Sequence, residues 1–249
     1  MLTIRNETSV SAELYISGDI VNDADGVEIK SWYGNTDGYQ FPSDLKRQLD
    51  ELKGKDLTIY INSYGGSIAA GMAMAHMIER HKGKTTAIVD AYCCSIATQI
   101  FFSADVCKMP ENAWLMVHKP QSMAFGDSNE MKKVSEVLDT IQDGLELSYR
   151  AKKLEDVTDE EIHSMVEAET WLTGAQAAKK FKIELLSRQV FVNCCGSCNK
   201  LVSIGARNIP PDLHFTNVDS FRNKKPPAKD DDWLEVEIAL ARAKGVAYS

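Results

Sequence analysis

Apolar and polar residues alternate over residues 12–18 (Ala-Glu-Leu-Tyr-Ile-Ser-Gly), the period of a half-buried strand. Over residues 43–52 the apolar positions become Leu45, Leu49 and Leu52, the spacing of one helix face. A second strand is predicted over 56–62. It runs into Ser63-Tyr64-Gly65-Gly66-Ser67, after which residues 68–80 are rich enough in Ala and Met for a buried helix. The unit then repeats. Residues 85–90 read as a β-branched strand, 91–95 (Ala-Tyr-Cys-Cys-Ser) as a tight segment, and 96–103 as a small, apolar helix. Such alternation predicts an α/β domain with right-handed crossovers between parallel strands. Two further short runs, 106–109 and 113–118, flank a turn at Pro110-Glu111-Asn112 and read as a hairpin-like piece.

The longest helical pattern spans 127–150, with Met131, Val134, Leu138, Ile141 and Leu145 at a 3–4 spacing. Asp127 and Glu130 form a capping-box pair at its start. Its apolar stripe is narrow, the form of a helix that packs against another subunit. Thr158 with Glu161 opens a further helix ending near Ala168, with Val157 and Ile162 placed to form a hydrophobic staple. Composition changes near residue 190. Pro210-Pro211 and Lys224-Lys225-Pro226-Pro227 punctuate a polar stretch, and Asp232 with Glu235 caps a last helix reaching about Lys244. The division expected is a main domain over 1–190 and a C-terminal extension over 191–249.

The chain has 249 residues, of which 44% are hydrophobic, enough for a sizeable core. Its formal charge of −8 argues against a nucleic-acid-coating surface, which needs a concentrated basic face. No run of about 18 apolar residues occurs, and the N-terminus lacks the basic-then-apolar layout of a secretory signal, so neither membrane nor secretion is expected. The expected location is the cytoplasm, and the clustering of the six cysteines fits a reducing compartment better than a disulfide framework. Cys194-Cys195-Gly196-Ser197-Cys198 contains one Cys-x-x-Cys, short of the four ligands of a structural zinc site, with only His214 nearby. Free thiols are the reading there, with half a zinc knuckle completed across a subunit interface as the alternative. No cofactor is expected.

Chemistry enters at the two small-residue turns, where backbone N–H groups at helix starts favour an oxyanion. Ser95 sits at the second, beside the N–H of Ile96. By itself a serine there is more often a simple N-cap. His118 ends a predicted strand before Lys119-Pro120, and a neutral imidazole beside a serine hydroxyl can act as its general base near pH 7. Cys94 is an alternative nucleophile, although a buried apolar cysteine is usually an inert packing residue.

Four segments in order carry a resemblance: Asn62-Ser63-Tyr64-Gly65-Gly66-Ser67, Cys94-Ser95-Ile96-Ala97, residues 109–120 (Met-Pro-Glu-Asn-Ala-Trp-Leu-Met-Val-His-Lys-Pro), and Glu169-Thr170-Trp171-Leu172-Thr173-Gly174. Together they resemble the ClpP family of serine peptidases over roughly residues 10–190. The Glu-Thr-Trp-Leu-Thr and Pro-Glu-Asn-Ala stretches are most similar to phage-encoded, ClpP-related head-maturation (prohead) proteases. The resemblance implies the ClpP/crotonase-like spiral of repeated β-β-α units, with the long helix as an extended handle. It implies Ser95 as nucleophile, His118 as base, Glu169 as third triad member, and the N–H groups of Gly66 and Ile96 as oxyanion hole. Most cellular members carry Asp at the last triad place, so Glu169 is a departure, and a helix-end surface charge is its other reading. The resemblance further implies a homo-oligomeric ring acting on protein substrates, here capsid or scaffolding proteins in a bacterial host's cytoplasm. An AAA+ unfoldase is compatible with this but not required. The alternatives are an inactive capsid-assembly component with the same fold, and a crotonase-type acyl-CoA enzyme.

Overall fold

The computed structural model describes residues 3–187. The extension predicted over 191–249, with its cysteines, His214 and terminal helix, lies outside the described residues. The α/β class is as expected: among the described residues one nine-stranded, largely parallel sheet carries helices against it.

The strands are β1 (Thr3–Arg5), β2 (Ser11–Ile20), β3 (Tyr39–Gln40), β4 (Asp56–Gly66), β5 (Thr85–Cys94), β6 (Val106–Pro110), β7 (Trp114–Val117), β8 (Thr170–Thr173) and β9 (Glu184–Leu186). The helices are α1 (Asp25–Tyr33), α2 (Pro42–Glu51), α3 (Ile68–Glu79), α4 (Ala97–Phe102), α5 (Ser128–Lys152), α6 (Asp159–Glu167) and α7 (Gly174–Ala177). Strands β2, β4 and β5 lie side by side in parallel. Burial alternates strictly along β4, so Leu57, Ile59, Ile61 and Ser63 turn into the core while Thr58, Tyr60, Asn62 and Tyr64 occupy the other face. Leu45 of α2, Met74 and Ile78 of α3, and Ile100 and Phe101 of α4 join the strand residues in one core. On the opposite face, Tyr15 stacks on Tyr60 at 4.8 Å and Tyr64 lies 4.8 Å from Tyr92.

The hairpin expected around Pro110 does not form. Strands β6 and β7 do not pair with each other; both run parallel to β5, at different heights on the same edge. Thr86–Ile88 of β5 pairs with Val106–Lys108, whereas Tyr92–Cys94 pairs with Trp114–Met116. The physical reason is burial. Three of the four residues of β7 are buried, which suits an interior parallel strand rather than a hairpin arm open on one side. β8, not foreseen, closes the outer edge of β7 in antiparallel register.

The capping box at Asp127 and Glu130 is present. Thr158 accepts from the Glu161 N–H, and Val157 and Ile162 are both buried, as a staple requires. Of the 25 residues of α5 only Gln142, Glu146 and Tyr149 are buried, all in its C-terminal half. Glu146 ties that half to α6: its carboxylate receives Gln142 at 2.9 Å and Arg150 at 2.6 Å and lies 2.9 Å from His163 Nδ1.

Candidate active site

Ser95 directly follows β5 and His118 directly follows β7, so the parallel pairing of these strands carries both to the same end of the sheet. The pairing extends to the serine itself, whose N–H donates to the Met116 carbonyl at 2.9 Å. From there two residues reach His118, on the same side of the pleat as Met116. His118 Nε2 lies 2.7 Å from Ser95 Oγ, the geometry of a base positioned on a hydroxyl.

The backbone at Ser95 is left-handed, with φ +54. For a residue with a Cβ this conformation costs about 1–3 kcal/mol and persists only where the surroundings over-determine it. It turns the chain sharply from strand to helix and leaves the side chain at the tip. Ser95 therefore lies one residue ahead of the Ile96 N-cap, so the simple N-cap reading does not describe it.

The Gly65-Gly66 segment is the end of β4 rather than a separate turn, and Ser67 caps α3 by accepting from Ala70 N–H. Each glycine answers a different neighbour. A Cβ on Gly66 (φ +144) would lie 2.0 Å from the Ile20 carbonyl oxygen of β2. A Cβ on Gly65 (φ +101) would lie 2.7 Å from Ser95 Cβ, 2.8 Å from the Cys94 oxygen and 3.2 Å from the Ile96 nitrogen. Gly65 is thus the residue that lets β4 approach the serine, a role the sequence reading left unassigned. Buried Ser63 fixes this strand end, accepting from Gly65 N–H at 3.0 Å and donating to the Gly18 carbonyl at 2.6 Å.

Glu169 sits between α6 and β8, also left-handed at φ +50, and is 9% exposed. The surface-charge reading fails on that burial. Trp171 Nε1 donates to its Oε1 at 3.4 Å. Nearby, Lys119 pairs with Glu167 at 2.7 Å, joining the end of α6 to the exit of β7. Burial pushes the His118 imidazole below its ordinary value, and the Glu169 charge acts against that shift. His118 Nδ1 is itself buried without a hydrogen-bond partner, so Glu169 reaches the ring through its field and not through an Nδ1–H bond in this structure.

The thiol of Cys94 is 0% exposed and is pushed far above its ordinary value by burial, with the Glu169 charge adding to the effect. Buried and uncharged, it is a packing group beside Met116, Ala91 and Tyr92. Among the described residues no cluster of His, Cys, Asp and Glu could hold a metal ion, and no helix is long and apolar enough to cross a membrane.

Residues 45–183 match the family model described as Clp protease. Among curated proteins the chain is similar to the ATP-dependent Clp protease proteolytic subunit of Leuconostoc citreum (strain KM20), 28% identical over 129 residues, covering 49% of this chain and 62% of that one. The subunit of the same description from Streptococcus mutans is 30% identical over 131 residues, covering 50% and 65%. That of Oltmannsiellopsis viridis is 33% identical over 89 residues, covering 34% and 45%. The chain thus spans less than two thirds of the length of these relatives.

Proposed function

The chain belongs to the Clp protease family, and from that premise we propose that it is a serine endopeptidase using Ser95, His118 and Glu169. The observation that carries this reading is the 2.7 Å approach of His118 Nε2 to an Oγ presented on a left-handed elbow. Ser95 Oγ attacks the scissile carbonyl as His118 Nε2 takes its proton. The tetrahedral oxyanion is received by the N–H groups of Ile96 and Gly66, with Gly65 keeping that wall free of side chain. His118 then protonates the leaving amine, and water repeats the cycle on the acyl-enzyme. Glu169 stabilises the imidazolium that forms in each half-reaction, by the same field that opposes the burial-driven lowering of the His118 pKa in the resting state.

The substrates are protein chains. The narrower assignment is cleavage of capsid or scaffolding proteins during phage head maturation, supported by Glu169-Thr170-Trp171-Leu172-Thr173 and Pro110-Glu111-Asn112-Ala113. A homo-oligomeric ring belongs to the same proposal. Its support is α5, whose N-terminal half buries no residue of its own while carrying Met131, Val134 and Leu138. An AAA+ unfoldase is no part of the bond-breaking step.

Two experiments test the reading. A fluorophosphonate probe should label Ser95 in the wild type and leave Ser95→Ala unlabelled; a wild type that stays unlabelled removes the activated serine. Co-expression with the neighbouring capsid protein should give cleavage that Ser95→Ala abolishes, and an uncleaved capsid in both strains refutes the head-maturation assignment.

A further inference from the structure

Behind the Ser95 elbow lies a short series of buried hydroxyls that the proposed mechanism does not use. The Ser95 carbonyl accepts twice from Thr98, from its N–H at 3.0 Å and from its Oγ1 at 2.6 Å. Thr98 Oγ1 is in turn 2.6 Å from the hydroxyl of Tyr149 in α5. Thr98 is 0% exposed and Tyr149 3%, so both hydroxyls are shut off from bulk solvent, and Gln99 is a second side-chain hydrogen-bond partner of the Tyr149 hydroxyl. The direction of the bonds follows from proton count. A threonine hydroxyl carries one proton; with that proton on the Ser95 carbonyl, Thr98 Oγ1 can only accept from Tyr149. Burial pushes the Tyr149 hydroxyl up to about 12, so it keeps the proton it donates. Next to this contact, Gln99 Nε2 donates to the Leu145 carbonyl of α5 at 3.1 Å.

The elbow needs such support. The left-handed conformation at Ser95 is costly, and α4 is only six residues long, too short to hold its own first turn rigid. From the ordered series Tyr149, Thr98, Ser95 we infer that Tyr149 is a positioning residue for the nucleophile, acting through the Thr98 hydroxyl on the Ser95 carbonyl. Tyr149 does not touch substrate. It sets where Ser95 Oγ stands relative to His118 and, because it belongs to α5, makes that placement depend on how the long helix is seated. The inference rests on the reading of Ser95 as nucleophile.

The test uses the full chain and saturation kinetics of fluorophosphonate labelling, which separate the binding constant KI from the bond-forming rate kinact. Tyr149→Phe keeps the ring packed against Phe102 and Phe181 and removes only the hydroxyl. Thr98→Val removes the middle hydroxyl at similar volume, and Thr98→Ser restores it. Loss of one buried hydrogen bond should lower kinact about tenfold in Tyr149→Phe and Thr98→Val with KI unchanged, while Thr98→Ser stays within about twofold of wild type. A Tyr149→Phe protein with wild-type kinact, or a Thr98→Ser protein as slow as Thr98→Val, overturns the inference. Should the wild type itself not label, the nucleophile reading falls, and amide exchange at Thr98 decides the rest. Faster exchange in Tyr149→Phe supports the hold on the elbow; unchanged exchange ends it.

Discussion

Substituting Gly65 by alanine should damage the site far more than the fold, and a second glycine supplies the control. The new Cβ would stand 2.7 Å from Ser95 Cβ, where ordinary contact begins at 3.4 Å, so the two must part by roughly 0.7–1.3 Å. The backbone offers no easy retreat, because the Cys94 oxygen at 2.8 Å and the Ile96 nitrogen at 3.2 Å stand on the same side. Ser95 Oγ therefore moves relative to His118 Nε2, and a misplacement of about 1 Å costs on the order of 100-fold in rate. The left-handed backbone, φ +101, adds about 1–3 kcal/mol of strain. Gly54→Ala carries the same kind of backbone strain at φ +78, yet its Cβ would meet nothing within 4 Å. Both variants should unfold at lower denaturant, whereas only Gly65→Ala should lose fluorophosphonate labelling by about 100-fold. Equal labelling rates in the two would refute the idea that Gly65 exists to admit Ser95.

Further predictions concern titration and thiols. Because burial lowers the His118 pKa, the acid limb of kcat/KM should fall below pH 6.5, and Glu169→Gln, which removes the opposing charge, should move that limb lower still; a limb unmoved or shifted upward shows that Glu169 does not act on the ring. The same depressed pKa makes stability complete above about pH 6.5 and lost as pH falls from there toward the folded value, since the unfolded histidine takes up a proton the folded one refuses, and denaturant melts across pH 5–7 read this directly. Cys93, Cys94 and Cys107 are buried with pKa values pushed up, Cys107 to about 11, so peptide-mapped alkylation of the native protein should leave all three unmodified. Cys94→Ala should keep Ser95 labelling, and its loss would reinstate the thiol as nucleophile.

The alternation of strand and helix from residue 56 to 103 was legible because each element has its own period and sequential crossovers leave little topological choice. The misread piece was the pair of runs around Pro110. A Pro-Glu-Asn turn between two short apolar runs is a hairpin by local rules, and only the sharing of β5 by both runs, a long-range fact, decides otherwise. α1 escaped notice because Ile29 is the buried apolar residue of a segment whose Val27 and Trp32 stay exposed, so no stripe marks it. At the site, Ser95 and His118 could be nominated by residue type and position. The burial of Glu169 could not, since it depends on β8 folding back onto β7 through a left-handed residue that is not glycine. Gly65 and Gly66 look alike in sequence; their separate duties, toward Ser95 and toward Ile20, emerge only from what stands opposite each.

The divided edge of β5 also bears on when the site comes into being. Parallel neighbours need a crossover before they can pair, so β7 joins β5 only after α4 and β6 have been laid down, and Glu169 arrives only when α5 and α6 have brought β8 back. Each closure is non-local and entropically late, the kind of contact that forms slowly in folding. Ser95, His118 and Glu169 are thus expected to come together late in the folding reaction, and a chain whose sheet is incomplete would hold Ser95 without His118 beside it.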